Sequence, residues 1–135
     1  MKVRMVTVLA VLLVLLSLCG SAFGHHGASA YDRNITLTLK ATVTEFTFRN
    51  PHIQISFDAP DGQGKVVHWV AEGGSSTGLA RRGWTRKTLN VGDQVTIVGN
   101  PAKGMEGKDV RVMALTRLIL ANGRAVGQES PATNP

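Results

Sequence analysis

Residues 35–48 alternate between apolar and polar side chains, and the phase of this alternation changes once. Apolar residues occupy every second position of residues 35–43, whereas Phe46 and Phe48 take the opposite phase. Because successive side chains of a strand point to opposite faces, the phase can change only at an extra residue or a sharp bend. The pattern therefore predicts one long strand, bulged or coiled near Thr44, whose two halves contribute to two sides of a barrel.

Four further segments have the alternation or the apolar runs of β-strands, and turn-forming residues separate them. The predicted strands are residues 52–57, 65–72, 94–98 and 109–113, the last continuing towards residues 118–120. Residues 58–64 and 99–108 predict loops, and Asn122-Gly123 predicts a type I′ hairpin turn with a short returning strand at 124–126. The third strand is apolar on both faces, which indicates a central position.

A short helix is predicted between the third and fourth strands. Ser75 or Ser76 is a suitable N-cap, and Gly83 is a suitable residue to end the helix. Leu79 and Trp84 are the side chains that we expect to anchor this helix to the core.

The order of these elements predicts the fold class. Three antiparallel strands, a helix and two more strands, with a long bent first strand, make the strand order of an OB-fold, a small Greek-key barrel. We therefore expect an all-β protein with one short helix, a five-stranded OB-fold-like barrel with Trp69 and Trp84 in its core. A small open β-sandwich is the alternative, and the helix between strands three and four favours the barrel.

Residues 1–24 have the three regions of a secretory signal peptide. Two basic residues precede an almost entirely apolar run at residues 6–18, and small residues lead up to Gly24. The apolar run is shorter than the ~20 residues of a membrane-spanning helix, so cleavage before His25 is favoured over an uncleaved anchor. The protein is thus predicted to be periplasmic or secreted, with no membrane span after cleavage.

Cys19 offers a minor alternative to this cleavage. Residues 16–20 resemble a lipobox, in which the cysteine becomes a lipidated N-terminus and anchors a lipoprotein. Leu18 stands where such boxes prefer a small residue, which disfavours lipidation. Otherwise Cys19 leaves with the leader, and the mature chain has no cysteine for a disulfide or a thiolate metal site.

The mature chain is predicted to contain an arm at residues 25–34, one barrel domain at residues 35–127 and a flexible tail at residues 128–135. Removal of the leader lowers the formal net charge from +6 to +4, and the remaining basic residues are mostly scattered. This pattern does not indicate nucleic-acid binding. It favours a solvated charged surface over one that binds lipid headgroups, acidic glycans or an acidic partner. We expect a monomer.

Six short motifs resemble those of an uncharacterised family of small secreted bacterial proteins. They are His25-His26-Gly27, Tyr31-Asp32, Asn50-Pro51-His52, Trp69-Val70-Ala71-Glu72, Leu79-Ala80-Arg81-Arg82-Gly83-Trp84 and Leu89-Asn90-Val91-Gly92-Asp93. Members of that family typically have serine at the position of Gly27. The resemblance extends from His25 to about Val126 and implies a location and a fold, but no established activity.

The histidines define a candidate copper site. After cleavage before His25, the α-amine and the imidazole of that residue form one chelating group. A second imidazole, from His26 or His52, would complete a set of three nitrogen ligands. Such nitrogen-rich, tetragonal coordination suits Cu(II), and a metal readily deprotonates an amine whose pKa is ~8.

Each candidate ligand also has a plain structural interpretation. The pair His25-His26 is also explained by a polar, flexible arm after a cleavage site, and the sequence alone favours that arm over a metal site. The segment Asn50-Pro51-His52 is explained by turn chemistry, with Asn50 bonding the backbone and the imidazole of His52 capping a carbonyl.

Three residues are candidates to support metal ligands without touching the metal: Tyr31, Asp32 and Glu72. For Glu72, a salt bridge to Arg81 or Arg82 is the alternative. We expect His68, in the third strand, to be a half-buried histidine with satisfied hydrogen bonds rather than a ligand.

These observations together predict a non-catalytic protein. The mature chain has no Ser-His-Asp arrangement, no paired-carboxylate pattern, no phosphate loop and no thiol. We expect an exported OB-fold-like module that binds a periplasmic ligand or protein and needs no cofactor. The alternative is a periplasmic copper-binding protein, and a copper-dependent oxidative enzyme is the remote alternative.

Overall fold

The computed structural model describes residues 28–127. The elements in chain order are a 3-10 turn at Ala28–Ala30, β1 at Leu37–Thr47, β2 at Gln54–Pro60, β3 at Val66–Glu72, α1 at Ser76–Ala80, β4 at Gln94–Pro101, β5 at Val110–Ile119 and β6 at Ala125–Gly127. The predicted leader, the pair His25-His26 and the predicted tail lie outside the described residues. Within the described range, no helix has the length and apolarity that a membrane span requires.

The first five strands form a closed barrel. β1 pairs antiparallel with both β2 and β4, β2 pairs with β3, and β4 pairs with β5. A parallel pairing of β3 with β5 closes the ring, and β6 pairs antiparallel with the C-terminal end of β5. This is the predicted OB-fold barrel, and the parallel closure excludes the open sandwich.

The bend in β1 occurs at the predicted position. Val43 pairs with Phe57 and Glu45 pairs with Ser56, so Thr44 is the extra residue of a bulge. Val43 faces the core on one side of the bulge, and Phe46 packs against the core with the opposite phase on the other side. The phase change therefore identified both the bulge and the double use of the strand.

The barrel is filled by inward-facing apolar residues, and both tryptophans belong to them. Trp84 and Trp69 are 1% and 6% exposed, as predicted. The ring of Trp69 stacks on Phe57, with centroids 6.3 Å apart and the planes within 7° of parallel. The ring of Phe46 packs against Trp84 at 6.3 Å, which joins the second half of β1 to the residues after the helix.

The short helix α1 has the predicted N-cap and anchors, but it ends at Ala80, before the predicted end at Gly83. The Oγ of Ser75 accepts a hydrogen bond from the Gly78 amide at 3.1 Å, which makes Ser75 the N-cap. Gly83 adopts a φ of +87° just beyond the helix, a conformation that glycine adopts without strain. Leu79 and Trp84 are both buried in the core.

Two strands are longer than the sequence predicts. β2 continues to Pro60, because Ala59 keeps the inward alternation and is 2% exposed, so the loop begins at Asp61 rather than at residue 58. β4 continues to Pro101, although Gly99 was expected to start a loop. Glycine and proline usually indicate turns in a sequence, but here Pro60, Gly99 and Pro101 are paired within strands.

The turn between β5 and β6 is a hairpin, but it is not of type I′. A type I′ turn needs positive φ at both central residues, whereas only Gly123 has a positive φ, of +81°. The Gly123 amide donates to the Leu120 carbonyl at 2.9 Å, and the Arg124 amide donates to the side chain of Asn122 at 3.0 Å. The connection is therefore a three-residue loop with a left-handed glycine at its end.

Candidate ligand-binding face

The N-terminal arm is docked on the barrel. Tyr31 forms a β-bridge with Ala102, just beyond the end of β4. Next to this bridge, the Asp32 amide donates to the Pro101 carbonyl at 2.8 Å. These backbone contacts fix the course of the arm beside the loop between β4 and β5.

Docking of the arm brings two of the predicted supporting residues into contact. The hydroxyl of Tyr31 donates to Oε2 of Glu72, the last residue of β3, at 2.5 Å. The other carboxylate oxygen of Glu72 accepts from Nε2 of Gln54, its cross-strand neighbour on β2, at 3.4 Å. The phenol thus lies against the outer surface of the barrel, and its hydroxyl donates a hydrogen bond to a carboxylate.

This environment favours the neutral form of the phenol. Partial burial raises the pKa of Tyr31 well above its usual value, and the hydrogen bond to Glu72 and the negative charge of that carboxylate raise it further. A neutral phenol donates to the carboxylate, whereas a phenolate would be repelled by it. The contact between the arm and β3 therefore depends on a protonated Tyr31.

Tyr31 is the single tyrosine of the chain, so its ionisation can be followed by tyrosinate absorbance. We expect no ionisation near pH ~10, the ordinary tyrosine value, as long as the protein is folded. Because the unfolded phenol releases its proton there and the folded one does not, this group stabilises the fold fully below pH ~10 and progressively less above it. Glu72→Gln should lower the midpoint but leave the part caused by burial. Ionisation at pH ~10 in a protein that circular dichroism shows to be folded would contradict the contact.

A groove of about 450 Å³ lies between the arm, the β4–β5 loop and the outer side of the β3–β5 pair. Its lining residues are mostly apolar: Ala30, Tyr31, Glu72, Ala102, Lys103, Met105 and Val112. A volume of this size is in the range of small-molecule sites. Both Glu72 oxygens are engaged by Tyr31 and Gln54, so Lys103 is the charged group of the lining that remains for a ligand.

His52 lies beside this face, where its ring caps a carbonyl. Its Nδ1 lies 3.1 Å from the carbonyl oxygen of Gly73, the residue that follows Glu72. Backbone hydrogen bonds between Ile53 and the pair Gly73-Gly74 extend the β2–β3 ladder at this point. This is the contact that the turn interpretation of His52 predicts. It leaves Nε2 of the exposed ring available, because the two ring nitrogens have separate partners.

The loop before His52 is attached to the start of α1. Oδ1 of the Asn50 side chain accepts from the hydroxyl of Ser76 at 2.9 Å and from the backbone amide of Thr77 at 3.5 Å, and its Nδ2 donates to the hydroxyl of Thr77 at 3.0 Å. The peptide bond between Asn50 and Pro51 is cis. Asn50 therefore mainly bonds side chains of the helix start, not the backbone groups that the turn interpretation expects.

His68 is satisfied, as expected, but it is not half-buried. Its Nδ1 lies 2.5 Å from Oδ1 of Asp58, its cross-strand neighbour on β2. The His68 side chain is 62% exposed and that of Asp58 is 33% exposed. Outer positions of β3 near the β2–β3 hairpin are open to solvent, which explains the difference from the prediction.

The predicted ligand set is only partly within the described residues. His52 is described, whereas His25 and His26 lie outside the described range. Within residues 28–127, no three His, Cys, Asp or Glu side chains converge in a way that would hold a metal ion.

The remaining supporting residues have structural partners of their own. Oδ1 of Asp32 accepts from the Asn34 amide at 3.0 Å, which forms a tight turn in the arm. Asp32 is therefore not part of the Tyr31–Glu72 contact. Over residues 28–127, no salt bridge joins Glu72 to Arg81 or Arg82, so the predicted alternative for Glu72 is wrong.

Comparison with known proteins identifies the family. The chain matches DUF6152, a family of unknown function, over residues 12–110. The chain belongs to DUF6152. No curated protein matches it. A crystal structure of the mitochondrial single-stranded DNA binding protein Rim1 from S. cerevisiae resembles the DUF6152 chain with 11% identity and a TM-score of 0.46. That alignment covers 64% of this chain and 93% of Rim1, and at this similarity it carries no argument about ligands.

Several residues of the groove in this DUF6152 protein were not singled out by sequence reasoning. They are Gln54, which bonds Glu72 beside the groove, and three residues of the lining, Lys103, Met105 and Val112. One signal was present for the last of these, because β5 has apolar residues at both phases near its start: Val112 faces outward next to the inward-facing Met113. No pattern in the sequence marks Lys103 or Met105, which lie in the β4–β5 loop.

Proposed function

We propose that this DUF6152 protein is an exported, non-catalytic binding module whose ligand occupies the groove between the arm and the β3–β5 pair. The observation that carries the proposal is the docked arm: Tyr31 reaches Glu72 and so forms one wall of the groove. Export rests on the leader pattern of residues 1–24.

The chemistry of the lining suggests which ligands would fit. Met105 and Val112 offer apolar contact, and the carboxylate of Glu72 is occupied by Tyr31 and Gln54. Among residues 28–127 no carboxylate forms a salt bridge with Lys103. The groove is therefore suited to a small ligand with an apolar body and an anionic end.

Anilinonaphthalene sulfonate, a fluorescent apolar anion, is a direct probe of this groove. We expect saturable fluorescence enhancement at one dye per protein, because the ring system enters the apolar groove and the sulfonate meets Lys103. Lys103→Glu should weaken binding by about tenfold or more, the effect of about 1.4 kcal/mol. Lys87→Glu makes the same change of charge at an exposed site outside the groove and is the matched control. Equal affinities of the two variants, or no saturable binding, would contradict the proposal.

A second candidate function is Cu(II) binding, and the position of the docked arm favours it. Tyr31 contacts Glu72, the last residue of β3, and the residue that follows the strand, Gly73, carries the carbonyl that His52 contacts. His25 lies six positions before Tyr31 in the sequence, and an extended chain of that length spans about 20 Å at most. The candidate is supported by this limit, because the arm is attached at Tyr31 beside Glu72, next to the Gly73 carbonyl that His52 contacts.

The donor groups suit this candidate. His52 holds a carbonyl with Nδ1, which is the kind of contact that orients an imidazole for metal binding through Nε2. The α-amine and imidazole of His25, if cleavage exposes them, supply two more nitrogens, and three nitrogens in a tetragonal arrangement suit Cu(II). Cu(II) titration of the secreted protein and of His52→Ala tests the candidate.

A further inference from the structure

A second groove lies towards the start of β3 and β5, between the β2–β3 hairpin and the β4–β5 loop. Its volume is about 310 Å³, and it is separate in its lining from the groove under the arm. The charged and titratable residues of its lining are Asp61, Lys65, His68, Lys108, Asp109 and Arg111.

Arg111 is the most unusual of these residues. It pairs with Trp69 across the parallel β3–β5 ladder, and its guanidinium carbon lies 5.7 Å from the centroid of the Trp69 ring. Nε of Arg111 is buried and has no hydrogen-bond partner. Across the described part of the chain, no carboxylate pairs with this guanidinium and no acceptor bonds it.

A partly buried guanidinium without acceptors is costly unless something else satisfies it. The group carries a full charge and five N–H donors, and burial of an unpaired charge is unfavourable. The face of the Trp69 ring stabilises part of the positive charge. It accepts no hydrogen bond from the N–H groups, which lie in the plane of the guanidinium. An oxyanion in the groove would supply both the opposite charge and the acceptors.

The other charges of the groove favour an anion as well. Lys65, from the β2–β3 hairpin, and Lys108, from the β4–β5 loop, have no salt bridge among residues 28–127. Oδ1 of Asp61 accepts hydrogen bonds from the backbone amides of Gln63 and Lys65, at 2.8 and 2.9 Å, which holds this carboxylate in the turn of the hairpin.

The two remaining ionisable groups of the lining change this balance little. His68 is engaged with Asp58 on the neighbouring strand. Asp109 makes no hydrogen bond or salt bridge within residues 28–127, and together with Asp61 it leaves two carboxylates against three cationic side chains in the lining.

We propose that this groove binds a phosphate group, with the guanidinium of Arg111 at its floor and the ammonium groups of Lys65 and Lys108 at its two sides. Arginine is suited to this role because its planar donors match two oxygens of a phosphate at once. The site is independent of the proposed functions, since it uses none of the residues that line the groove under the arm or surround His52.

The test follows the Arg111 Nε–Hε resonance in nitrogen-15 spectra while inorganic phosphate is added, against chloride at equal ionic strength. We expect a saturable shift of this resonance with phosphate and none with chloride. The double variant Lys65→Gln/Lys108→Gln should weaken phosphate binding by about tenfold or more, because two charge-assisted contacts are lost. Arg86→Gln/Lys87→Gln removes the same charge at exposed positions outside the groove and should bind phosphate as the wild type does.

A second arm of the test separates free phosphate from the phosphate of a lipid headgroup. Vesicles of phosphatidylglycerol are mixed with the wild type and both double variants, and the bound protein is measured by sedimentation. Vesicle binding that depends on Lys65 and Lys108, without binding of inorganic phosphate, assigns the site to a lipid headgroup, and saturable inorganic phosphate assigns it to a soluble ligand. The proposal is overturned if neither probe binds, or if the two double variants lose binding equally. The test does not use Arg111→Gln, because the Arg111 side chain packs on Trp69 and its replacement could disturb folding as well as binding.

Discussion

Gly99→Ala is expected to lower the free energy of unfolding by about 2–3 kcal/mol, the cost of forcing extra atoms into a packed site. A Cβ at position 99 would lie 2.3 Å from the backbone oxygen of Ala114 and 3.3 Å from the sulfur of Met113. The close neighbour is backbone within a paired strand, so it cannot rotate away as a side chain would. Gly99→Val should be more destabilising, because it adds two methyl groups at the same place.

Chemical denaturation, with the slope checked for a two-state transition, measures this effect. The control is Gly62→Ala in the β2–β3 hairpin, where a Cβ would meet no atom within 4 Å and φ is not positive. That variant should change stability by less than about 1 kcal/mol, in the stabilising direction if the chain accepts alanine without strain. A Gly99→Ala protein as stable as Gly62→Ala would show that β4 and β5 can separate at this point.

The close approach of Gly99 to the backbone of Ala114 lies next to the part of β4 that holds the arm. The β4–β5 register shifts there, with Val98 opposite Arg117 and Gly99 opposite Leu115, so β5 has one extra residue. Beyond the shift, β4 continues to its last residue, Pro101, and Pro101 and the next residue, Ala102, hold the arm. A destabilised Gly99 variant that stays folded should therefore also lose contact between the arm and the barrel.

The barrel could be predicted from the sequence because its signals are local. The phase change near Thr44 needs only the neighbouring residues, and the helix between β3 and β4 is marked by Ser75 and Gly83 at its ends. The prediction that Gly99 starts a loop was wrong because it also used only local signals. The constraint on Gly99 comes from Ala114, on another strand, and glycine looks the same in a sequence whether it forms a turn or admits a neighbouring backbone.

The candidate site could be predicted only in pieces. Tyr31 and Glu72 were both singled out, but they are 41 positions apart and meet only because the arm pairs with the end of β4. The sequence predicted that the imidazole of His52 caps a carbonyl, but not that the carbonyl belongs to Gly73, which lies 21 positions further along the chain. Arg111 gave no signal, because an arginine in an alternating strand normally predicts an outward-facing, solvated side chain.

Removal of the His52 imidazole is expected to weaken Cu(II) binding by at least about tenfold if the mature chain begins at His25, since even residues that only orient metal ligands contribute 10–100-fold. The control is His68→Ala. Both histidines are exposed and each makes one contact through Nδ1, but His68 lies at the other end of β3, next to the hairpin, and contacts Asp58. Affinities are measured by competition with a chelator of known strength, and the ligand field is followed by electron paramagnetic resonance.

The N-terminal amine is tested separately from the imidazoles. The intact mass of the protein secreted with its own leader first shows whether cleavage falls between Gly24 and His25. Acetylation of that amine should then weaken Cu(II) binding as strongly as His52→Ala does, because each change removes one nitrogen of the same set. A mature chain that starts elsewhere, or a lipid on Cys19, would rule out the amine as a ligand. Loss of affinity in His68→Ala equal to that in His52→Ala would instead point to scattered surface binding, because the proposed site includes His52 and not His68.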